Sequence, residues 1–134
     1  MCAYLRVTGE KFDVDSFLAG SSITPDVVFY RGQAKKRLKE QTWLYSGFGL
    51  EIGGEFGRLS SQINEVASFL EEERSQLVLL SKFPGVSDMR VILSYCPGNS
   101  ANMTEYLPPM VLDRLGSIGI GIEFDVYAGD NKRT

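Results

Sequence analysis

The chain has 134 residues, 43% of them apolar and 23% charged, with a net charge of −3. That is the size and balance of one domain that buries its own core without metal or disulfide support. The acidic balance argues against nucleic acid as the main partner, since phosphate binding needs a concentrated positive field, and no apolar run approaches the ~20 residues of a membrane helix.

In chain order, the first predicted strand is Ala3 to Thr8, closed by Gly9. Asp13 is placed to cap a short helix through Phe17 and Leu18, which Gly20 ends. Pro25 precedes a run of β-formers, Asp26 to Tyr30. Arg31 to Lys39 reads as a basic, mobile connection. Thr42 to Ile52 predicts a strand in which Gly47 and Gly49 mark bulges, ended by Gly53, Gly54 and Gly57. Leu59, Ile63, Val66, Leu70, Leu77 and Leu80 recur at the spacing of an amphipathic helix. Ser60 or Ser61 supplies its cap, it kinks or restarts near Glu73 to Ser75, and Pro84-Gly85 closes the segment.

Asp88 to Cys96 alternates as a strand with Met89, Val91, Leu93 and Tyr95 on one side. Pro97 to Tyr106 is a polar loop. Pro108 or Pro109 suits the first turn of a helix striped by Val111, Leu112 and Leu115 and ended by Gly116. Ile118 to Val126 predicts a strand with Ile118, Ile120, Ile122, Phe124 and Val126 pointing one way. The expected organisation is a single α+β domain over 1–128 and a disordered tail over 129–134. The order β-α-β-β-α-β-α-β predicts a two-layer sandwich: a mainly antiparallel sheet with helices on one face, loosely ferredoxin-like.

These landmarks, in this order, carry a family resemblance. The opening Ala3-Tyr4-Leu5-Arg6-Val7-Thr8-Gly9, the stretches Ile23-Thr24-Pro25 and Tyr30-Arg31-Gly32, and Trp43 opening a strand all take part. So do the long helix after Leu59, the Leu112 to Gly116 helix end and the closing Phe124-Asp125-Val126-Tyr127. Together they resemble the small, mostly bacterial proteins catalogued as domain of unknown function 4279. The resemblance implies a fold and no reaction. Small bacterial domains of this kind are similar in type to immunity proteins, which bind and neutralise a cognate toxin.

Chemistry is constrained by what is missing. The chain has no histidine, which removes the usual Ser-His-Asp and Cys-His arrangements and the commonest zinc ligand. Two isolated cysteines, Cys2 and Cys96, make no tetrathiolate site. No catalytic residue, metal ligand or cofactor is therefore assigned. The start, Met1-Cys2-Ala3-Tyr4-Leu5, lacks the basic lead and apolar run of a secretory signal, so the expectation is a cytoplasmic protein with two thiols. Cys2 as an N-terminal nucleophile is weighed against a small residue opening a strand, and the plainer reading is preferred. Gly47 to Gly54 fits neither G-x-G-x-x-G nor a P-loop. Asp88, Glu123 and Asp125 are placed to pair with Arg6 or Arg90 across the sheet.

Alternation then assigns a surface. If Leu5, Val7, Phe48, Leu50, Val91, Leu93, Ile120, Ile122 and Phe124 line the greasy face, the other face holds Tyr4, Arg6, Trp43, Tyr45, Arg90, Glu123, Asp125 and Tyr127. Aromatics beside arginines are the usual stuff of binding hot spots, while cross-strand pairing alone would also explain them. The preferred expectation is a non-enzymatic module that binds another protein, such as a basic toxin domain. The alternative is single-stranded RNA bound by the aromatic face and the basic loop Arg31, Lys35, Lys36, Arg37 and Lys39. A small hydrolase or ligand-binding domain using the carboxylates is third.

Overall fold

The computed structural model describes residues 2–98 and 104–127. Five strands, β1 (Ala3–Gly9), β2 (Val27–Phe29), β3 (Ser46–Gly53), β4 (Asp88–Tyr95) and β5 (Gly121–Val126), form one sheet. Four helices, α1 (Val14–Ala19), α2 (Leu59–Glu72), α3 (Arg74–Ser81) and α4 (Pro109–Ile118), complete the fold. The sheet order is β2-β3-β1-β4-β5. All pairings are antiparallel except β4–β5, where α4 provides the crossover that a parallel pair requires. The result is the α+β sandwich expected from the pattern, with a mixed sheet.

Alternation in the central strand decides which side is which. Ala3, Leu5 and Val7 are fully buried on one side, in register with Leu50 and Phe48 of β3 and with Val91 and Met89 of β4. Val14 and Phe17 of α1, Ile63, Val66 and Leu70 of α2, Leu77 and Leu80 of α3, and Val111 and Leu115 of α4 join them in one core. Phe17 stacks on Phe48 at 6.2 Å and meets Phe83 edge-on at 5.4 Å. Burying each such side chain contributes roughly 1.5–3 kcal/mol.

The helix ends follow local chemistry. Asp13 caps α1, its Oδ1 accepting from the Ser16 N–H at 3.1 Å. The long helix breaks at Glu73 into α2 and α3. Neither Ser60 nor Ser61 caps α2; Ser61 Oγ instead accepts from the Glu55 N–H at 3.0 Å. α4 runs past Gly116 to Ile118 and stops at Gly119, whose φ of 90° is the left-handed conformation glycine adopts at low cost.

Several expectations are corrected. Thr42 to Tyr45 are outside β3. They pair back in an arm, with an antiparallel bridge between Ala34 and Thr42 and hydrogen bonds from Gly32 N–H to Trp43 O (2.8 Å) and Lys35 N–H to Gln41 O (2.9 Å). The basic connection is thus a hydrogen-bonded hairpin. Gly47 and Gly49 stay in register with β1, and the bulge falls at Ile52. Ile118 belongs to α4, and β5 begins only at Gly121. Ile120 is buried, but Phe124 and Val126 are 45% and 60% exposed. They pair with Leu93 and Tyr95 and so face the helix side. β5 is an edge strand, and the helices rest on β1, β3 and β4. The tail 129–134 and part of the Pro97 to Tyr106 loop lie outside the described residues.

One polar link joins the layers. β1 pairs with β4 only as far as Tyr4 opposite Ile92. Beyond that point the side chain of Gln62, fully buried on α2, takes the place of a neighbouring strand. Its Oε1 accepts from the Ser94 N–H at 2.8 Å, and its Nε2 donates to Ser94 O and Glu55 O, each at 2.9 Å. Gly54, at φ 93°, lets the chain pass this close, because a Cβ there would meet the Gln62 Cα at 2.6 Å. Replacing Gln62 with leucine keeps the volume and removes these bonds. At about 1–3 kcal/mol for each buried group left unpaired, urea unfolding should show a loss of roughly 2–5 kcal/mol; a loss below about 1 kcal/mol would contradict the role assigned to the link.

Candidate functional site on the open face of the sheet

With the helices on one side, the opposite face must satisfy itself. Its residues are the alternate set: Tyr4, Arg6 and Thr8 of β1, Asp88, Arg90 and Ile92 of β4, and Glu123 and Asp125 of β5. β2 adds Val27 and Phe29, opposite Gly49 and Gly47 of β3.

The glycines admit rings. A Cβ at Gly49 would collide with the Tyr4 phenol, and one at Gly47 would collide first with the Val7 carbonyl oxygen and also come within 3.0 Å of the Phe29 ring. Tyr4 is half-buried there, and burial, reinforced by Asp26, raises its pKa, so it is a neutral phenol. Phe29 is buried and stacks on Trp43 at 4.2 Å, with Tyr45 6.3 Å away. The Lys35 ammonium sits 4.9 Å over the indole ring, a cation–π contact.

The other half of the face is ionic. Arg6 and Arg90 stand directly opposite each other, an unfavourable like-charge pair without acids between them. Arg90 takes the acids: its Nε donates to Asp88 Oδ2 and its Nη1 to Glu123 Oε1, both at 2.7 Å. Those two hydrogen bonds, Asp88 first, raise its pKa further. Arg6 reaches Glu123 only at 4.0 Å. Its Nε is shielded from water and has no hydrogen-bond partner, although about a third of the side chain is exposed at 35%.

Beside Arg6 the face dips into a pocket of about 600 Å³, lined by Arg6, Thr8, Tyr45 and Arg90 and closed by Glu10, Lys11 and the 85–88 turn. Tyr4, Arg6, Arg90 and Glu123 therefore share one face as expected, and Arg6, Tyr45 and Arg90 meet in its pocket. Trp43 joins the aromatic cluster at the β2 edge instead. Asp125 is exposed and Tyr127 packs edge-on to Phe56 at 5.0 Å; neither lines the pocket. Of the acids expected to pair, Asp125 makes no ion pair among the described residues, and Asp88 binds within its own strand. Arg31, Lys36, Arg37 and Lys39 are exposed, and Lys35 is half-buried.

Sequence reading missed Thr8 and Phe29, which share this face by register, and the 85–88 turn. Thr8 and Asp88 carry the parity of Arg6 and Arg90, so alternation could have named them. Among the described residues no group of three or more His, Cys, Asp or Glu could hold a metal ion, and no helix is long and apolar enough to cross a membrane.

The fold and its open face define a two-layer α+β sandwich with one sheet surface free of helices. The chain belongs to the family described as domain of unknown function (DUF4279), whose model matches residues 1–129. Neither curated proteins nor solved structures give a significant match.

Both cysteines are free thiols. Burial, then the Glu51 carboxylate, pushes the Cys2 thiol above its ordinary range, which holds it protonated and poorly nucleophilic at neutral pH. In a Cys96→Ser variant, iodoacetamide labelling should be slow at pH 7 and still rising at about pH 9. A plateau near neutrality would contradict the burial effect and reopen a nucleophilic role.

Proposed function

We propose that this chain is a non-enzymatic protein-binding module whose contact surface is the open sheet face, centred on Arg6, Tyr45 and Arg90. The supporting observation is Arg6 at the pocket, a third exposed and no closer than 4.0 Å to an acid, while the facing Arg90 is fully paired. Hydrogen bonds to a charged group such as this guanidinium contribute about 1.5–3 kcal/mol. A carboxylate or backbone carbonyl presented by a partner could accept from the exposed part of the Arg6 guanidinium, and Tyr45 offers ring area beside it. Arginine and tyrosine are the residues that most often dominate interface energies. Asp88 and Glu123 are already held by Arg90, which favours a contact role for them over acid–base chemistry.

The partner class suggested by the family's type is a toxin neutralised by this chain as its immunity protein. Charge gives a modest basis for it. The stretch 31–39 carries five of the 14 basic residues and no acid, so the rest of the chain has 9 basic against 17 acidic residues, a net −8. That body would steer a basic partner. For the RNA alternative, Trp43 is poorly disposed: Phe29 stacks on its ring and Lys35 sits over it, leaving little of the platform that base stacking needs.

The test is co-purification with the product of the gene immediately upstream, followed by titration with Arg6→Ala and Tyr45→Ala. Each should weaken binding by at least about 2 kcal/mol, roughly thirty-fold, while folding stability changes by about 1 kcal/mol or less. Unchanged affinity in both would remove this face as the contact surface.

A further inference from the structure

A second cavity, of about 530 Å³, opens at the other end of the aromatic cluster, between edge strand β2 and the arm. Its chemistry differs from that of the open-face pocket. Phe29, Trp43 and Leu38 supply apolar walls, while Lys35, Lys36 and Arg37 supply the charge, and no acid lines it. None of these three cations pairs with a carboxylate among the described residues. Leu38 is 48% exposed, an apolar side chain held at the mouth of an apolar hollow.

We infer that this cavity binds an amphipathic small-molecule anion: a carboxylate carried on an aliphatic body. Its volume is within the roughly 300–1,000 Å³ of small-molecule sites, which pair mostly apolar walls with a few fixed polar groups. Here the apolar body covers Leu38 and the edges of Phe29 and Trp43, and the carboxylate meets Lys36 and Arg37 in charge-assisted hydrogen bonds. The hairpin hydrogen bonds of the arm hold those cations near the β2 edge before the ligand arrives. A chain with a net charge of −3 repels anions over much of its surface, so the cationic arm is one of the places that draws them. The inference is independent of the protein-binding role, which uses the other pocket.

Trp43 is the only tryptophan and lies in the cavity wall, so its emission reads occupancy directly. The full chain is titrated with decanoate below its micellar range, with decyl maltoside as a neutral amphiphile and hexaglutamate as an anion without an apolar body. Decanoate should give a saturable change in emission, and the other two should bind at least about ten-fold more weakly. A Lys36→Glu, Arg37→Glu double variant, altered only at exposed positions, should lose about ten-fold or more in decanoate affinity. Leu38→Asp should lose a similar factor, with far-ultraviolet circular dichroism unchanged. An equal response to decyl maltoside would reduce the site to an apolar patch, and an equal response to hexaglutamate would reduce it to a charged surface. Either result, no saturable response, or indifference to both variants, overturns the inference. Partner binding through Arg6 should be unaffected by the arm variants, which separates failure here from failure of that role.

Discussion

The helix layer is fixed to one face of the sheet by apolar packing and by the buried amide of Gln62. Gln62 pairs with the main chain of Ser94 where β1 has ended, so α2 completes the sheet as well as covering it. Apolar packing alone is non-directional and would tolerate some sliding of α2 over Leu5, Val91 and Leu93. A hydrogen-bonded amide in a low-dielectric interior fixes one register, because any other leaves polar groups unsatisfied. Gly54 makes room for it, and the chain entering α2 is placed accordingly. With α1, α3 and α4 in the same core as α2 on that side, the other face carries no helix among the described residues.

The uncovered face is stabilised by local devices. Rings lie over Gly49 and Gly47, filling with aromatic surface what side chains would otherwise occupy. Asp88 and Glu123 offset the opposition of Arg6 and Arg90, but unequally, since Arg90 holds both acids closely and Arg6 is left at 4.0 Å from one. Exposed ion pairs of this kind contribute little, about 0–1 kcal/mol, so the arrangement is weak grounds for stability. Its consequence is an arginine at a pocket that is less fully paired than its neighbour, the feature on which the proposed contact surface rests.

The faces were legible because alternation is a strict period of two in β1 and β4. The same rule assigns a side without saying what covers it, and so Phe124, expected on the greasy face, and Val126, expected to point the same way, lie on an edge strand at 45% and 60% exposure. Trp43 lies in the arm and not in β3 because Ala34 bridges Thr42 in a hairpin whose residues carry no strand pattern. The ring-admitting role of Gly47 and Gly49 depends on where Tyr4 and Phe29 lie across the sheet, which local sequence does not encode. Gln62 did leave a trace: it sits three residues after Leu59 and four before Val66, in phase with the apolar stripe. A polar residue at such a phase signals a buried hydrogen-bonded partner.

Hydroxyl-radical footprinting of the complex with a bound partner tests the central claim, that contact is made through the face without helices. Tyr4 and Tyr45 report on that face, while Leu79, Met110 and Leu112, exposed on α3 and α4, report on the helix layer. Protection of Tyr4 and Tyr45 with unaltered labelling of Leu79, Met110 and Leu112 is the predicted result. Protection confined to the helical residues would contradict it.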